Sequence, residues 1–409
     1  MTRPSRTRAV AVLSALVVAA GLQAGGASAA GAAPAGPAGA LRLAAAGESA
    51  VPDGWIVVLK DTRGRDVPGV ARELLGRGDG GTRLGHVYRA ALHGFSATMS
   101  RARAARVAAD PRVASVHQDT RVRLARAAAD GTQPNPPWGL DRVDQRTLPL
   151  SGSYTYRTTA PDVRVHVIDT GLRTTHQDFG GRASVGVDTV GDGRNGADCN
   201  GHGTHVGGIA AGRTHGVAKE ARLIAVRVLD CQGSGTTSGV VAGVDWVTAH
   251  AARPAVANMS LGGPADGVLD NAVRASVRSG VTYTAAAGSA GTSTGACSTS
   301  PARLPEVITV GASDRNDRRA SSSNHGSCVS LFAPGVQIPS MWYDGDTSVR
   351  TVSGTSMAAA HAAGAAALHL ALRPADTPAQ VKRHLIDNAT TGVLQGTPPV
   401  VPDKLLYTL

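Results

Sequence analysis

Beyond residue 138 the chain repeats one alternation of apolar and polar positions. Short runs rich in Val, Ile and Ala alternate with longer stretches that carry apolar residues at helical spacing. "VRVHVID" ends at Asp169, "ARLIAVRVLD" ends at Asp230, and "AVANMSLG", "VTYTAAAG" and "EVITVGAS" follow the same plan. Runs without polar alternation suit strands covered on both faces, and helices between them imply a parallel sheet. "SGVVAGVDWVTAHAAR" and "GVLDNAVRASVRSG" predict two of those helices. "MAAAHAAGAAALHLAL" is apolar nearly all round and predicts a helix running through the interior. Residues 138–409 therefore read as one α/β domain of three layers, large enough for a substantial core.

The first third has a different rhythm. "WIVVLK" reads as a strand, "VPGVARELLGRG" as an amphipathic helix, and "RLGHVYRAALHGFSATMS" as two strands around a turn. "RARAARVAADP" is a second helix and "VASVHQD" a last strand. Strand-helix-strand-strand-helix-strand is the split βαβ, ferredoxin-like plan, which predicts a small α+β domain over residues 54–124. An Ala/Gly/Pro-rich stretch over 30–53 reads as a flexible leader. Residues 125–137, polar and Pro-containing, read as a linker. The start "MTRPSRTR", the apolar "AVAVLSALVVAAGL" and the small "ASA" have the layout of a secretory signal peptide over 1–29. No later run of about 18 uncharged apolar residues appears, so a membrane span is not expected.

Charge changes the picture only when divided. The formal net charge is +11, but residues 1–133 hold 18 Lys+Arg against 9 Asp+Glu, and residues 134–409 hold 23 against 21. The basicity belongs to the first third. With few aromatics and no basic-aromatic interleaving, a nucleic-acid partner is not expected. The four cysteines are Cys199, Cys231, Cys297 and Cys328. An even count in an exported chain points to disulfides, with three pairings open. Cys199, His202 and His205 also resemble zinc ligands, but no ordinary zinc spacing completes that set.

Candidate chemistry lies in three segments: "VIDTG" with Asp169, "NGHGTHVGG" with His202 and "GTSMA" with Ser356. Ser356 begins a helix, and serine is a preferred helix cap, so capping competes with catalysis as its role. A serine hydroxyl attacks poorly unless a base removes its proton. Imidazole does so well near neutral pH, and a buried carboxylate fixes its tautomer and stabilises the imidazolium. Asp169 ends a strand, and ligands gather at the carboxyl ends of strands in open α/β sheets. His205, His176 and His361 read as structural hydrogen-bonders.

These segments, with "NMSLGG" and "VITVGASD", match in order the motifs of the subtilisin-like serine peptidases. The chain resembles that family, and within it the proteinase K type. The order Asp, His, Ser separates it from chymotrypsin-like enzymes and α/β-hydrolases. The resemblance implies a secreted serine endopeptidase that works through an acyl-enzyme, with Asp169 orienting, His202 as general base and Ser356 as nucleophile. It implies that residues 54–124 are an inhibitory prodomain and that cleavage within 125–137 activates a zymogen. Substrate would extend beside Gly233, Ser234 and Gly235 and beside Ser260, Leu261 and Gly262, adding a strand by main-chain bonds. A selectivity pocket bounded by the latter and by Ala287 and Gly288 would favour apolar P1 side chains. Polypeptides and the chain's own prodomain are the implied partners, with the mature enzyme a monomer. The implied disulfides are Cys199–Cys231 and Cys297–Cys328.

Three departures from the family pattern stand out. Where the family usually has an Asn that donates to the oxyanion, this chain has Ser289, which leaves the Ser356 amide and the Thr355 hydroxyl as the other donors there. A catalytically impaired, peptide-binding relative is therefore the alternative to an active enzyme. The proline that usually follows the nucleophile by four residues is Ala360. No cofactor is required for the chemistry, but two loops match structural calcium sites of relatives. One would use Asp141, Asp144 and Gln145, with Ser151 and Ser153 at its other positions. The other would use the Pro305 and Val307 carbonyls, with Ser330 at the carboxylate position.

Overall fold

A computed structural model of the chain describes residues 39–44, 50–60, 66–76, 81–90, 92–120, 130–396 and 402–409. The signal peptide expected over 1–29, the start of the leader and the stretch 121–129 lie outside the described residues. Two compact units divide the chain near residue 120.

In the N-terminal unit five strands form one sheet, in the order Ala40–Arg42, Val113–Thr120, Ala50–Leu59, Gly94–Thr98, Arg83–Tyr88. Helices Val67–Leu75 and Arg101–Ala108 supply the crossovers. Without its first strand this is the split βαβ plan read from the sequence. Trp55, Val57, Phe95, Val107 and Val116 form its buried core. The leader reading of 30–53 needs correction. Ala40–Arg42 pairs in parallel with Ser115–His117, and the next strand already begins at Ala50. Main-chain pairing needs little from side chains, so an Ala/Gly-rich composition did not reveal it.

The C-terminal unit is built on a nine-stranded sheet. Its order is Thr390–Thr391, Lys404–Leu405, Leu331–Pro334, Ile308–Ser313, Thr282–Ala286, Ala255–Met259, Arg164–Asp169, Arg222–Arg227, Ala183–Asp188. All its pairings are parallel except that of Thr390–Thr391 with Lys404–Leu405. Helices His202–Ala211, Thr355–Leu372 and Pro378–Asn388 cover one face, and Thr237–His250 and Gly267–Arg278 cover the other. Two apolar layers result, one on each side of the sheet. From Met357 to Leu370 every residue of the central helix is buried, as its all-round apolar pattern requires.

Two boundaries shift. The linker expected over 125–137 is shorter, because Gly131–Pro134 forms an antiparallel ladder with Ser153–Tyr156. Pro134 closes that ladder opposite Ser153, a position where a missing N–H is tolerated. The strand expected to end at Asp230 stops at Arg227. There the chain bends, and the amides of Val228 and Leu229 both donate to the Asp169 carbonyl.

Covalent and ionic ties fasten the loops above the sheet. The cysteines pair Cys199–Cys231 and Cys297–Cys328, closing separations of 32 and 31 residues. Loops of that size are worth about 3–4 kcal/mol in the chain-entropy view. Arg227, fully buried, donates to Asp188 and Asp192 and so anchors the loop before Cys199. Arg142 is also fully buried and grips Asp317 through two bonds of 2.6 and 3.0 Å. Arg142→Met would leave the Asp317 carboxylate inside without its cation, a loss of about 3–5 kcal/mol for a broken buried pair. Chemical denaturation should show that loss; an unchanged midpoint would mean that the pair does not hold this corner.

Candidate active site

Asp169 is the last residue of its strand and has no solvent exposure. The strand lies where the sheet order turns outward in both directions, the switch point at which ligands gather in such sheets. One carboxylate oxygen, Oδ1, accepts the Thr170 amide and the His202 ring, each at 2.8 Å. The other, Oδ2, is buried without a partner.

His202 is the first residue of the helix His202–Ala211. Two glycines let that helix start under the sheet edge. Gly201 has φ +105°, and a side chain on Gly203 would collide with the Gly171 carbonyl. Asp198 ties the turn together: its carboxylate accepts the hydroxyls of Thr170 and Thr204 and the amides of Asn200, Gly201 and Thr204. Burial opposes protonation of His202. The charge and hydrogen bond of Asp169, with the charge of Asp198 behind them, outweigh it and hold the imidazole above its ordinary value. Nδ1 donates to Asp169, which leaves Nε2 as the basic nitrogen of the neutral ring. His205 is different. Its Nε2 faces the carbonyls of Ile338 and Arg350, and burial drives it down to about 4, which fits a structural role. His361 Nδ1 faces the Met357 carbonyl, and burial pushes that ring too down to about 4; His176 Nε2 faces the Ser348 carbonyl.

Ser356 is the second residue of the central helix, behind Thr355, with Gly354 at the cap position. Its hydroxyl donates to the Ser260 carbonyl at 3.2 Å rather than to its own helix, so it does not act as a cap. Ser260 in turn donates from its hydroxyl to the Ser356 carbonyl at 2.9 Å. Asn258, at the end of the neighbouring strand, donates to that same Ser260 hydroxyl.

Ser260 and His202 line one cleft of about 760 Å³, together with Leu261 and Gly262 and with Gly233, Ser234 and Gly235. The two backbone stretches expected to flank substrate thus lie along one groove. Ala287 and Gly288 do not line it. Ala287 is buried, and its carbonyl accepts Asn324 Nδ2, while the Gly288 amide donates to the Thr355 hydroxyl. Ser289 Oγ lies 3.4 Å from Thr355 Oγ1, so both residues expected at the oxyanion position do adjoin the Ser356 helix.

The candidate calcium ligands fit the ion poorly. Asp141 spends both oxygens on the amides of Ser151 and Gly152 and on the Ser151 hydroxyl. Gln145 Oε1 accepts the Ser151 amide as well. Asp144 Oδ1 is buried without a partner, and burial, with the charge of Asp141, lifts that carboxyl to about 6 against a bond from Thr155. Among the described residues no three His, Cys, Asp or Glu side chains converge as a metal set requires. Calcium takes six to eight oxygens, several of them charged. Serine donors occupy the places where this loop would need acceptors.

Reading the sequence missed two residues. Asp198 sits beside the cysteine of "DCNGHGTH" and carries no pattern of its own. Asn324 binds the loop after Ala286: its Oδ1 accepts the amides of Ala290 and Thr292. Asn258 was visible within "NMSLGG", but its bond to Ser260 was not.

A model described as the subtilase family matches residues 160–401, and one described as peptidase inhibitor I9 matches residues 55–125. An extracellular serine proteinase of Thermus sp. (strain Rt41A) is 49% identical over 80% of this chain and 78% of its own length. An alkaline serine exoprotease A of Vibrio alginolyticus is 48% identical over 79% of this chain and 60% of its own. A solved cold-adapted subtilisin-like serine proteinase aligns with a TM-score of 0.65 and 49% identity, covering 67% of this chain and 99% of its own.

The raised His202 value has a consequence with a definite sign. Protonation of His202 stabilises the fold below about pH 6.5, and that contribution is lost as pH rises through the higher folded value. A base must be neutral, so any activity that depends on His202 should appear over that same range. The acid limb of kcat/KM should therefore have its midpoint above about 6.5. A midpoint at or below the ordinary imidazole value would contradict the pairing with Asp169.

Proposed function

The chain belongs to the subtilase family, and from that premise we propose that it is a secreted serine endopeptidase made as a self-inhibited zymogen. The observation that carries the mechanism is the 2.8 Å bond between a fully buried Asp169 and His202, a residue of the same cleft that holds Ser260 and, through it, Ser356.

In this reading Ser356 Oγ leaves the Ser260 carbonyl by rotating about its Cα–Cβ bond and gives its proton to His202 Nε2 as it attacks the scissile carbonyl carbon. The imidazolium is stabilised by Asp169, which remains ionised. The carbonyl oxygen gains the negative charge, beside the amide of Ser356 at the N-terminus of a long helix. Collapse expels the amine, which takes the proton from His202, and leaves an acyl ester on Ser356. Water, deprotonated by the same imidazole, then releases the acid and restores the hydroxyl. Substrate lies extended between Gly233–Gly235 and Ser260–Gly262, pairing by main chain, which gives broad sequence tolerance. Apolar P1 groups fit a floor near Leu261 and Leu269, both lining residues. Residues 54–124 act as the chain's own inhibitor, in keeping with the peptidase inhibitor I9 match, until cleavage within 125–137.

Ser289 supports a second reading. A serine hydroxyl is one donor with a free rotor, whereas an amide holds its donor by planarity. Its contact with Thr355 gives its proton another acceptor. On this reading the chain binds extended peptides and turns them over slowly.

Incubation of the processed protein with an unfolded polypeptide separates the two. Proteolysis that a sulfonyl fluoride abolishes, and that Ser356→Ala lacks, is the expected result; covalent labelling without turnover favours the slow binder. Ser289→Asn should raise kcat by about 10²-fold, the scale on which such a donor acts. No gain would mean that Ser289 does not face the oxyanion.

A further inference from the structure

The turn that leads into strand Ile308–Ser313 aims two carbonyls, those of Pro305 and Val307, at one point. That is the kind of concavity in which proteins hold hard cations. The point is taken: Lys382 Nζ donates to the Pro305 carbonyl at 2.8 Å and to the Val307 carbonyl at 2.7 Å. We propose that this tethered ammonium is the structural cation of the C-terminal unit, fixed in place of a calcium ion that the turn consequently neither needs nor admits.

The neighbouring groups disagree with calcium, and although burial pushes the Lys382 ammonium down to about 8, against the charge of Glu306, it is cationic below that pH. Ser330 stands where a carboxylate would be required, and its hydroxyl accepts the Thr309 amide at 3.2 Å. Glu306, within the same turn, pairs with Arg274 at 3.4 Å at the surface. Lys382 shares a groove of about 410 Å³ with Val277, Ala379 and Ile386, which give its methylene stem apolar cover. Two neutral carbonyls make an adequate acceptor pair for an ammonium with three donors. They are far from the oxygen-rich charged cage of a calcium ion, and a divalent ion there would also face the lysine charge.

The covalent tether matters. A bound ion leaves when its free concentration falls, and any stability it lent leaves with it. Lys382 rises from helix Pro378–Asn388, seventy-odd residues after the turn, so its bonds fasten that helix to the start of a central strand. The strand Ile308–Ser313 pairs directly with Thr282–Ala286, whose continuation carries Ala287, Gly288 and Ser289. The inference concerns stability and cation content, so it stands or fails independently of the peptidase reading.

The test uses the full chain carrying Ser356→Ala, which removes self-digestion as a variable. In crystals grown with excess calcium, Lys382 Nζ should remain within hydrogen-bond distance of both carbonyls, without anomalous signal from a metal between them. A calcium ion on those carbonyls with Lys382 displaced would overturn the proposal. In parallel, Lys382→Met should lower Tm by roughly 3–10 °C, the scale for losing two bonds to a charged donor in a domain of this size. That loss should be the same in chelator and in calcium, and Lys382→Arg should recover most of it. Equal Tm values for Lys382→Met and its parent would overturn the proposal too, and the crystallographic arm decides the matter if Lys382→Met does not fold.

Discussion

A carboxylate with no solvent exposure, at the end of a central strand, is the constraint around which the C-terminal unit is arranged. Taking Asp169 out of water is expensive unless its charge is met by donors. The Thr170 amide and the His202 ring meet one oxygen. The environment that buries the charge also magnifies its pull on the imidazole, which is how a ring that burial alone would leave neutral comes to hold a proton more tightly. Stability and chemistry are coupled at this bond in the proposed mechanism: the protonated ring favours the fold, and the neutral ring would serve as the base.

The surrounding architecture brings the segments of Thr170, His202 and Ser260 to one cleft. Parallel pairing brings the ends of strands Arg164–Asp169 and Ala255–Met259 side by side, one carrying Asp169 and the other leading into Ser260. From Met357 to Leu370 the central helix runs through the interior, so its first turn is held by packing along its length. Its Ser356 is bonded in both directions to Ser260. Buried helices of this kind take their position from packing rather than from helix propensity. At the periphery, Ser151 donates to Asp141 and Lys382 donates to the Pro305 and Val307 carbonyls.

Much of this was legible in the residues because the informative parts are local. Strands covered on both faces read as unbroken apolar runs, and "VRVHVID" and "AVANMSLG" located theirs within a few residues. A helix that is apolar nearly all round is a plain sign of burial. The Asp, His and Ser segments were recognisable because each sits among glycines that few other arrangements need. What escaped was long-range main-chain pairing and single polar contacts. The ladder between Gly131–Pro134 and Ser153–Tyr156 depends on backbone groups that any residues carry. The grip of Asn324 on the loop at Ala287–Thr292 joins positions more than thirty residues apart. The end of the strand at Arg227 falls where the Val228 and Leu229 amides both turn to the Asp169 carbonyl, an event that apolar periodicity does not register.

The most direct test of the central claim is the turnover of Asp169→Asn, set beside a demonstration that the variant folds and processes normally. An amide keeps the shape but no longer selects the tautomer with Nε2 free, nor stabilises the imidazolium. In a chymotrypsin-type triad the same exchange costs about 10⁴-fold in kcat, and a loss on that order is expected here. A correctly folded Asp169→Asn enzyme within about tenfold of its parent, some 1.4 kcal/mol in barrier height, would contradict the account.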